Sequence, residues 1–184
     1  MERPDLDPAD PIDAISLAWL RERPGTPVSG IGIVTRLWHA AKLLGDERRR
    51  VLAAAGADTA TLDLLGVLRR SGPPYRLTTR ELATRTLVTP GAISQRVARA
   101  EDAGLVRRHD SATQARAVDV ELTAEGHAEV ERLVDLVLGR ESELVGALGA
   151  ERQDALNDLL RSVVSSLHDE LGERRPSHVG MKDS

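Results

Sequence analysis

The sequence contains no cysteine and no phenylalanine, and its 184 residues include only two tryptophans and one tyrosine. Without cysteine the chain can form no disulfide, carry out no thiolate chemistry, sense no oxidant through a thiol and build no cysteine-ligated zinc site. Because large aromatic side chains are scarce, the core has to be built from Leu, Val, Ile and Ala, which suits a helical protein.

Long apolar runs and enzyme motifs are missing as well. No run approaches the roughly 18 apolar residues that a membrane-spanning helix needs, and the acidic start Met1–Asp5 lacks the apolar segment of a secretory signal. We therefore expect no membrane partner and a cytoplasmic location. A Gly-rich phosphate loop, a nucleophile elbow and paired metal-ligand spacings are absent, and the five histidines are far apart. We expect a protein that is not an enzyme and that needs no cofactor.

The net charge of −4 is unevenly distributed along the chain. Between Gly66 and Ala117 there are ten arginines and four acidic residues, a balance of +6, which leaves −10 for the rest of the chain. Phosphate contacts depend on local positive charge and not on the total. A basic middle between acidic ends is therefore the pattern of a DNA-binding lobe carried on a helical scaffold.

The spacing of apolar residues predicts helices on both sides of the basic segment, because these residues recur every three or four positions. The predicted helices cover about 10–22, 29–55 and 59–71 before the motif described next, and about 123–148 and 151–171 after it.

A helix–turn–helix is predicted within the basic segment. Thr78 and Glu81 form a capping box, which begins a short helix. Thr89 and Pro90 begin the second helix, since proline is favoured at the first helical position, and Gly104 ends it.

Two short strands are predicted after this second helix. Residues 118–122 alternate between apolar and polar side chains, residues 105–108 consist of two apolar and two basic side chains, and a polar stretch separates the two segments. Two helices followed by such a β-hairpin form a winged helix–turn–helix. The expected fold class is mainly α (α+β), with a winged helix–turn–helix lobe between N- and C-terminal helical regions.

The second helix of the motif has two contrasting faces. Its apolar face, which should pack inward, consists of Ile93, Val97 and Ala100. The opposite face is small and polar towards its N-terminus, so the helix can enter a major groove, where Gln95 and Arg99 can reach base edges. Thr89 and Ser94 suit phosphate contacts near a helix N-terminus. The alternative is an ordinary solvated helix face.

The segment from Leu77 to Arg108, with the closing motif Leu122-Thr123-Ala124-Glu125-Gly126, resembles the MarR family of transcription regulators. The resemblance covers about residues 29–171. It implies a homodimer with interlocked N- and C-terminal helices, a palindromic operator, and repression that a small ligand relieves.

The resemblance also implies a division of the chain and a set of sites. We expect a tail and an extra helix over 1–28, a winged-helix domain over 29–171 and a disordered tail over 172–184. Within these, the winged helix covers about 60–122, and dimerisation helices cover about 10–55 and 123–171. The predicted DNA-binding residues are Thr79, Thr89, Gly91, Ser94, Gln95, Arg99, Arg108 and Arg116.

The wing departs from the family pattern at one place. Arg116 matches the arginine that the family inserts into the minor groove. The usual Asp-Arg-Arg triplet is here Gln114-Ala115-Arg116, so its Asp and its first Arg are lost. An interaction module with a degenerate wing that does not bind DNA is therefore an alternative.

The predicted N-terminal helix over about 10–22 contains Trp19, and the segment Leu62–Leu77 covers much of the third helix and the turn after it. On these residues the chain has a narrower resemblance, to the PecS and urate-responsive branch of the family. It implies a ligand pocket formed by Trp19, Asp63 and Arg96, and a small anionic effector such as urate or an organic acid. Arg96 lies on the border of the buried helix face, and Asp63 lies inside a nearly continuous apolar run. An unpaired charge would be costly at either position, so each of the two residues needs a partner. The alternatives are a structural Asp63–Arg96 salt bridge, a phosphate contact by Arg96, a core role for Trp19, and a regulator without a ligand.

Overall fold

The computed structural model describes residues 6–110 and 117–172. The chain divides into two compact units, Met1–Arg48 and Arg49–Ser184. The described residues form seven helices and three strands.

The first unit contains α1 (Pro11–Glu22) and most of α2 (Ile31–Ala54). Asp10 caps α1, because its Oδ1 atom accepts hydrogen bonds from the backbone N–H groups of Ile12 and Asp13 at 2.8 and 3.0 Å. Arg36 on α2 holds this end of α1, with Nη2 at 2.9 Å from the Asp10 carboxylate and 3.0 Å from the Asp13 carboxylate. The hydrogen bond from the Asp13 backbone, and then the Arg36 guanidinium, lower the pKa of Asp10.

The second unit is built around α3 (Thr59–Arg70). Asp58 caps this helix through a 2.7 Å hydrogen bond from the Thr61 N–H, and every residue from Leu64 to Leu68 is buried. The elements that follow α3 are β1 (Arg76–Thr78), α4 (Thr79–Thr86), α5 (Pro90–Asp102), β2 (Val106–Asp110), β3 (Val118–Leu122), α6 (Ala124–Gly146) and α7 (Ala150–Leu171). Buried residues of α3 to α6 and of all three strands form one apolar core.

The three strands form an antiparallel sheet in the order β1-β3-β2. The strand pair β2–β3 is the predicted hairpin, although β2 covers 106–110 and not the expected 105–108. Strand β1 was not predicted. Its three residues pair with β3, with Leu77 opposite Val120, so β3 is the central strand of the sheet.

The observed helices agree with the predicted ones to within a few residues. α7 differs from the others in that none of its 22 residues is buried. No single helix in the described ranges is long and apolar enough to cross a membrane; only the consecutive pair α2 and α3 passes jointly, on length and composition alone.

Candidate nucleic-acid interface

The helix–turn–helix begins with the predicted capping box. The Glu81 N–H donates to Thr78 Oγ1 at 3.1 Å, and the Thr78 N–H donates to Glu81 Oε2 at 2.8 Å, so two of the free backbone donors at the start of α4 are satisfied. Leu87 ends α4 with a left-handed backbone (φ 54°). Thr89 then begins α5, because its Oγ1 accepts from the Ala92 N–H at 3.2 Å.

The two faces of α5 separate as its periodicity predicts. Ile93 and Val97 are each 1% exposed, and Ala100 is 5% exposed, all within the apolar core. The exposed residues on the opposite side include Gly91, Ser94, Gln95 and Arg99. The buried face therefore fixes the helix in the domain, while the polar face is presented to solvent along the same helix.

The predicted phosphate-binding residues lie around the start of this helix. A groove of about 360 Å³ lies between α4 and α5, and it is lined by Thr79, Arg80, Ala83, Thr84, Val88, Pro90, Ile93 and Ser94. Ser94 Oγ donates to the Pro90 carbonyl at 2.9 Å, so its lone pairs can still accept. The structure thus brings Thr79, Thr89, Gly91 and Ser94 to one region, next to Gln95 and Arg99.

The closing motif of the wing joins the sheet to α6. Thr123 Oγ1 donates to the Gly104 carbonyl at 2.7 Å and accepts from the Gly126 N–H at 2.9 Å. The Thr123 N–H donates to the Leu105 carbonyl at 3.1 Å. The end of α5, the start of the wing and the start of α6 are therefore connected through one threonine.

Glu121 stands at the centre of the outer face of the sheet. Its Oε2 accepts from Arg76 Nη2 at 2.6 Å and lies 3.1 Å from His109 Nε2. The hydrogen bond from Arg76 is the main cause that lowers the pKa of Glu121, and the charge of Arg107 adds to it. Cross-strand charge pairs of this kind connect all three strands.

Arg108, a predicted DNA-binding residue, is paired within the protein. Its Nε donates to Glu101 Oε2 at 2.6 Å, and its backbone N–H donates to Glu101 Oε1 at 3.1 Å. Neither Glu101 nor Glu121 is among the site residues predicted from the sequence. Arg116, with the rest of the triplet Gln114-Ala115-Arg116, lies outside the described residues.

The predicted ligand residues fall in both units of the chain. Arg96 Nη1 lies 4.0 Å from Asp63 Oδ2, at the outer limit of an ion pair, and this buried nitrogen has no hydrogen-bond partner among the described residues. The Arg96 side chain is 21% exposed, so it does lie on the border of the buried face. Trp19 belongs to the first unit and is 49% exposed. Among the described residues, no group of three or more His, Asp or Glu could hold a metal ion.

Comparisons with known proteins agree with this arrangement. A model of the MarR family matches residues 56–117. The transcriptional regulator PecS of Dickeya dadantii is 26% identical over 156 residues, which cover 85% of this chain and 94% of PecS. The transcriptional repressor Rv2887 of Mycobacterium tuberculosis is 30% identical over 118 residues, 64% of this chain and 85% of Rv2887.

A solved structure provides the link to DNA. Sco3205 of Streptomyces coelicolor, a MarR family transcriptional regulator in complex with DNA, is 32% identical and has a TM-score of 0.64. The match covers 76% of this chain and 88% of that chain.

The fold and the exposed polar face of α5 define a winged helix–turn–helix DNA-binding protein. With relatives of 30% and 32% identity that it covers over most of their length, the chain belongs to the MarR family of transcriptional regulators. These relatives are regulators and not enzymes, and the narrower likeness to PecS predicted from the sequence is confirmed.

Proposed function

We propose that this regulator is a homodimeric repressor that binds a palindromic operator in double-stranded DNA. In each protomer α5 enters the major groove, and the wing formed by β2 and β3 follows the adjacent minor groove. The observation that carries this proposal is the pair of faces on α5, because burial of Ile93 and Val97 fixes the helix while its polar face stays free. A regulator has to be in the same compartment as its operator DNA, and this requirement supports the cytoplasmic location.

Base contacts are assigned to Gln95 and Arg99, and phosphate contacts to Thr79, Thr89, Gly91 and Ser94, with Arg116 in the minor groove. The main cause that lowers the pKa of Asp58 is the hydrogen bond from the Thr61 backbone, and the charge of Arg99 contributes to it. This contribution is a weak electrostatic attraction between the Arg99 guanidinium and the carboxylate of Asp58, which caps α3. DNA binding would replace that weak attraction with direct contacts.

Exposed apolar residues support the dimer. On α6 and α7 they are Leu136, Leu138, Leu144, Val145, Leu156, Leu159, Leu160, Val164, Leu167 and Leu171. Exposed apolar side chains in such number, on helices that follow a DNA-binding lobe, are typical of a surface that another chain covers. A second copy is the partner that the family resemblance implies, and a two-fold dimer matches a palindromic site.

The first test is a gel-shift titration with duplexes selected by the purified protein from a random library, in the presence of excess non-specific DNA. We expect one enriched palindromic sequence with half-sites about one helical turn apart and specific binding at least about a thousandfold tighter than to random duplex. Failure to enrich any sequence would contradict the proposal. It would favour the alternative, an interaction module whose wing no longer supports DNA binding.

We further propose that the Asp63–Arg96 contact is the element that senses an anionic effector. The ion pair is long, at 4.0 Å, and Arg96 Nη1 has no hydrogen-bond partner within the described ranges, so this nitrogen can donate to a ligand carboxylate or urate oxygen. A ligand bound there would compete with Asp63 for Arg96 and shift the position of α5. A structural salt bridge, without any ligand response, is the alternative.

The test of the sensor adds urate, and separately benzoate as an aromatic organic acid, to the protein–DNA complex. We expect one of these anions to release the DNA. Trp19→Ala should keep DNA affinity within a factor of about two while the ligand becomes less effective, since Trp19 is assigned to ligand stacking only. Equal loss of DNA binding and ligand response would instead favour a core role for Trp19, and indifference of the wild type to both anions would favour the ligand-insensitive regulator.

A further inference from the structure

Glu101 connects the last turn of the recognition helix α5 to the first strand of the wing. One carboxylate oxygen, Oε1, accepts from the backbone N–H of Arg108 at 3.1 Å. The other, Oε2, accepts from the Arg108 side chain, with Nε at 2.6 Å and Nη2 also in contact. A single carboxylate therefore holds both the main chain and the side chain of one residue of β2.

The position of Arg108 in the sheet explains why its N–H is available to Glu101. The strand order β1-β3-β2 places β2 at an edge, so no strand of the described part of the chain pairs with its other side. The N–H of Arg108 is on that open side, where an edge strand otherwise leaves a donor to solvent. Glu101 satisfies it.

The side chain of Arg108 lies on the inner face of the sheet. Side chains alternate along a strand, so Arg108 shares its face with Val106, which is 1% exposed and packs in the core. Arg107 is on the other face with its cross-strand partner Glu121. Arg108 is thus directed towards the end of α5, where the carboxylate of Glu101 is found.

The electrostatics of the pair agree with a persistent contact. The hydrogen bond from Arg108 is the main cause that lowers the pKa of Glu101, so Glu101 stays ionised at neutral pH. An acidic residue in the last turn of a helix is unfavourable towards the helix dipole, so its contact with Arg108 has to compensate for that position. Two donor nitrogens of the guanidinium are already occupied by this contact.

We infer that Arg108 acts as a strut that fixes the wing to the end of the recognition helix through Glu101, in place of the direct DNA contact expected from the sequence. Glu101 and Arg108 are positioning residues: they set the angle between α5 in one groove and the wing in the next. This inference rests on the proposed DNA binding, and its consequence is a loss of operator affinity when either partner is removed.

A phosphate contact by Arg108 and a positioning role of Arg108 predict opposite effects of Glu101→Ala on operator affinity. If Glu101 only competes with DNA phosphates for Arg108, removal of its negative charge should tighten operator binding. If the pair is a strut, Glu101→Ala should weaken operator binding by about tenfold, Arg108→Ala should do the same, and the double variant should be no weaker than either single variant. Fluorescence anisotropy on the selected duplex measures all three. Tighter binding by Glu101→Ala, or additive losses, would overturn the inference.

Salt dependence distinguishes a positioning role of Arg108 from a direct phosphate contact. A phosphate contact contributes about one unit to the slope of log K against log salt. We expect Arg108→Ala to keep the wild-type slope, and a slope lower by about one unit would assign Arg108 to the DNA. Arg76→Ala is the matched control, because Arg76 is also paired with a glutamate, but this pair joins β1 to β3 and not α5 to the wing. It should change operator affinity by less than about twofold.

A measurement on the free protein separates this inference from the proposed function. Amide hydrogen exchange of Arg108 should be faster by about tenfold or more in Glu101→Ala, while amides of the central strand β3 keep their wild-type rates. If no duplex is enriched by the wild type but this acceleration is seen, the contact exists and the proposed function fails. If the wild type enriches duplexes but the Arg108 amide of Glu101→Ala exchanges at the wild-type rate, the inference about Glu101 and Arg108 is wrong, while the proposed DNA binding is retained.

Discussion

Gly126 lies directly against the main chain of the wing, where α6 leaves the sheet. A Cβ atom added there would be 2.0 Å from the Leu105 carbonyl oxygen, and a backbone atom cannot move aside as a flexible side chain can. We expect Gly126→Ala to lower the free energy of unfolding by about 3 kcal/mol, through overpacking. Urea denaturation followed by circular dichroism at a fixed protein concentration measures this change.

Gly139 is the matched control, because it lies in the same helix and a Cβ added there would meet nothing within 4 Å. Gly139→Ala should raise the unfolding free energy by about 0.5–1 kcal/mol, the usual gain from replacing a glycine inside a helix. A similar small effect at both glycines would show that the α6–wing contact is not close.

Asp58 gives a prediction for pH. The hydrogen bond from the Thr61 backbone is the main cause that lowers its pKa below 3.8. A depressed carboxylate pKa stabilises the fold at pH values above the unfolded pKa, and this contribution is lost as the pH falls through the folded pKa. At pH 7 we therefore expect Asp58→Ala to cost about 1 kcal/mol, the typical value of an N-cap.

The difference between wild type and Asp58→Ala should shrink as the pH is lowered below about 4, where the carboxyl becomes protonated. Asp58→Asn serves as the control, since asparagine is also a good N-cap and does not titrate. Its stability relative to Asp58→Ala should stay constant across the same range. A wild-type advantage over Asp58→Ala that persists undiminished at pH 3 would contradict the role of the charged cap.

Sequence patterns predicted the burial or exposure of single residues well where the face of a helix decides it. They predicted the partners of long charged side chains less well. The spacing of apolar residues by four and three positions was sufficient to place Ile93 in the core and Gln95 on the surface. The partner of Arg108 could not be predicted, because the end of α5 and the strand β2 meet only through the fold. An acidic residue in the last turn of a helix, where the dipole disfavours it, was the one available signal at Glu101.

Among the elements, the strand β1 was missed because its residues also match another pattern. Thr78 was correctly identified as the start of the capping box, and the preceding Arg76 and Leu77 are too few to show an alternating pattern. Their strand conformation comes from pairing with β3, which lies more than 40 residues further along the chain. Such short strands depend on tertiary pairing and not on local propensity.

The recognition helix as an element leads to a prediction about Arg99. Arg99→Ala should weaken specific operator binding by roughly 1–3 kcal/mol, because a bidentate contact to a base edge is lost. Anisotropy titrations with the selected duplex and with a random duplex measure the change. Specific binding should fall more than non-specific binding.

Arg161→Ala is the control for the loss of one positive charge. Arg161 lies on α7 and is paired at 2.6 Å with Asp158, one turn before it. Its replacement should leave operator affinity within a factor of about two. An unchanged affinity in Arg99→Ala as well would remove Arg99 from the residues that contact bases.

For the whole molecule, the division of the chain was not visible in the sequence. The boundary at Arg48 falls inside α2, and a continuous helix gives no change of composition or turn signal at such a point. The predicted boundary between residues 28 and 29 relies on the loop before α2, and it stays a prediction. The distribution of charge did point to the basic lobe, since it depends on composition and not on contacts.

The proposed homodimer can be tested through the exposed apolar residues of α7. Leu159 is 65% exposed, and the helix that carries it buries none of its residues. A glutamate in a dimer interface would be desolvated without a partner, at a cost of several kcal/mol. We expect Leu159→Glu to shift the protein from a dimer to a monomer of 19.9 kDa and to abolish operator binding with it, since a single half-site gives too little affinity. Sedimentation velocity gives the mass, and circular dichroism checks that the winged-helix lobe remains folded.

Asn157→Glu provides the control for this substitution, because it places the same charge on the same helix at an exposed polar position. It should remain dimeric and bind the operator. A wild-type protein that sediments as a monomer at micromolar concentration would contradict the dimer directly. A Leu159→Glu protein that stays dimeric and binds DNA would show that the two copies meet through another surface, and the exposed face of α7 would then need a different partner.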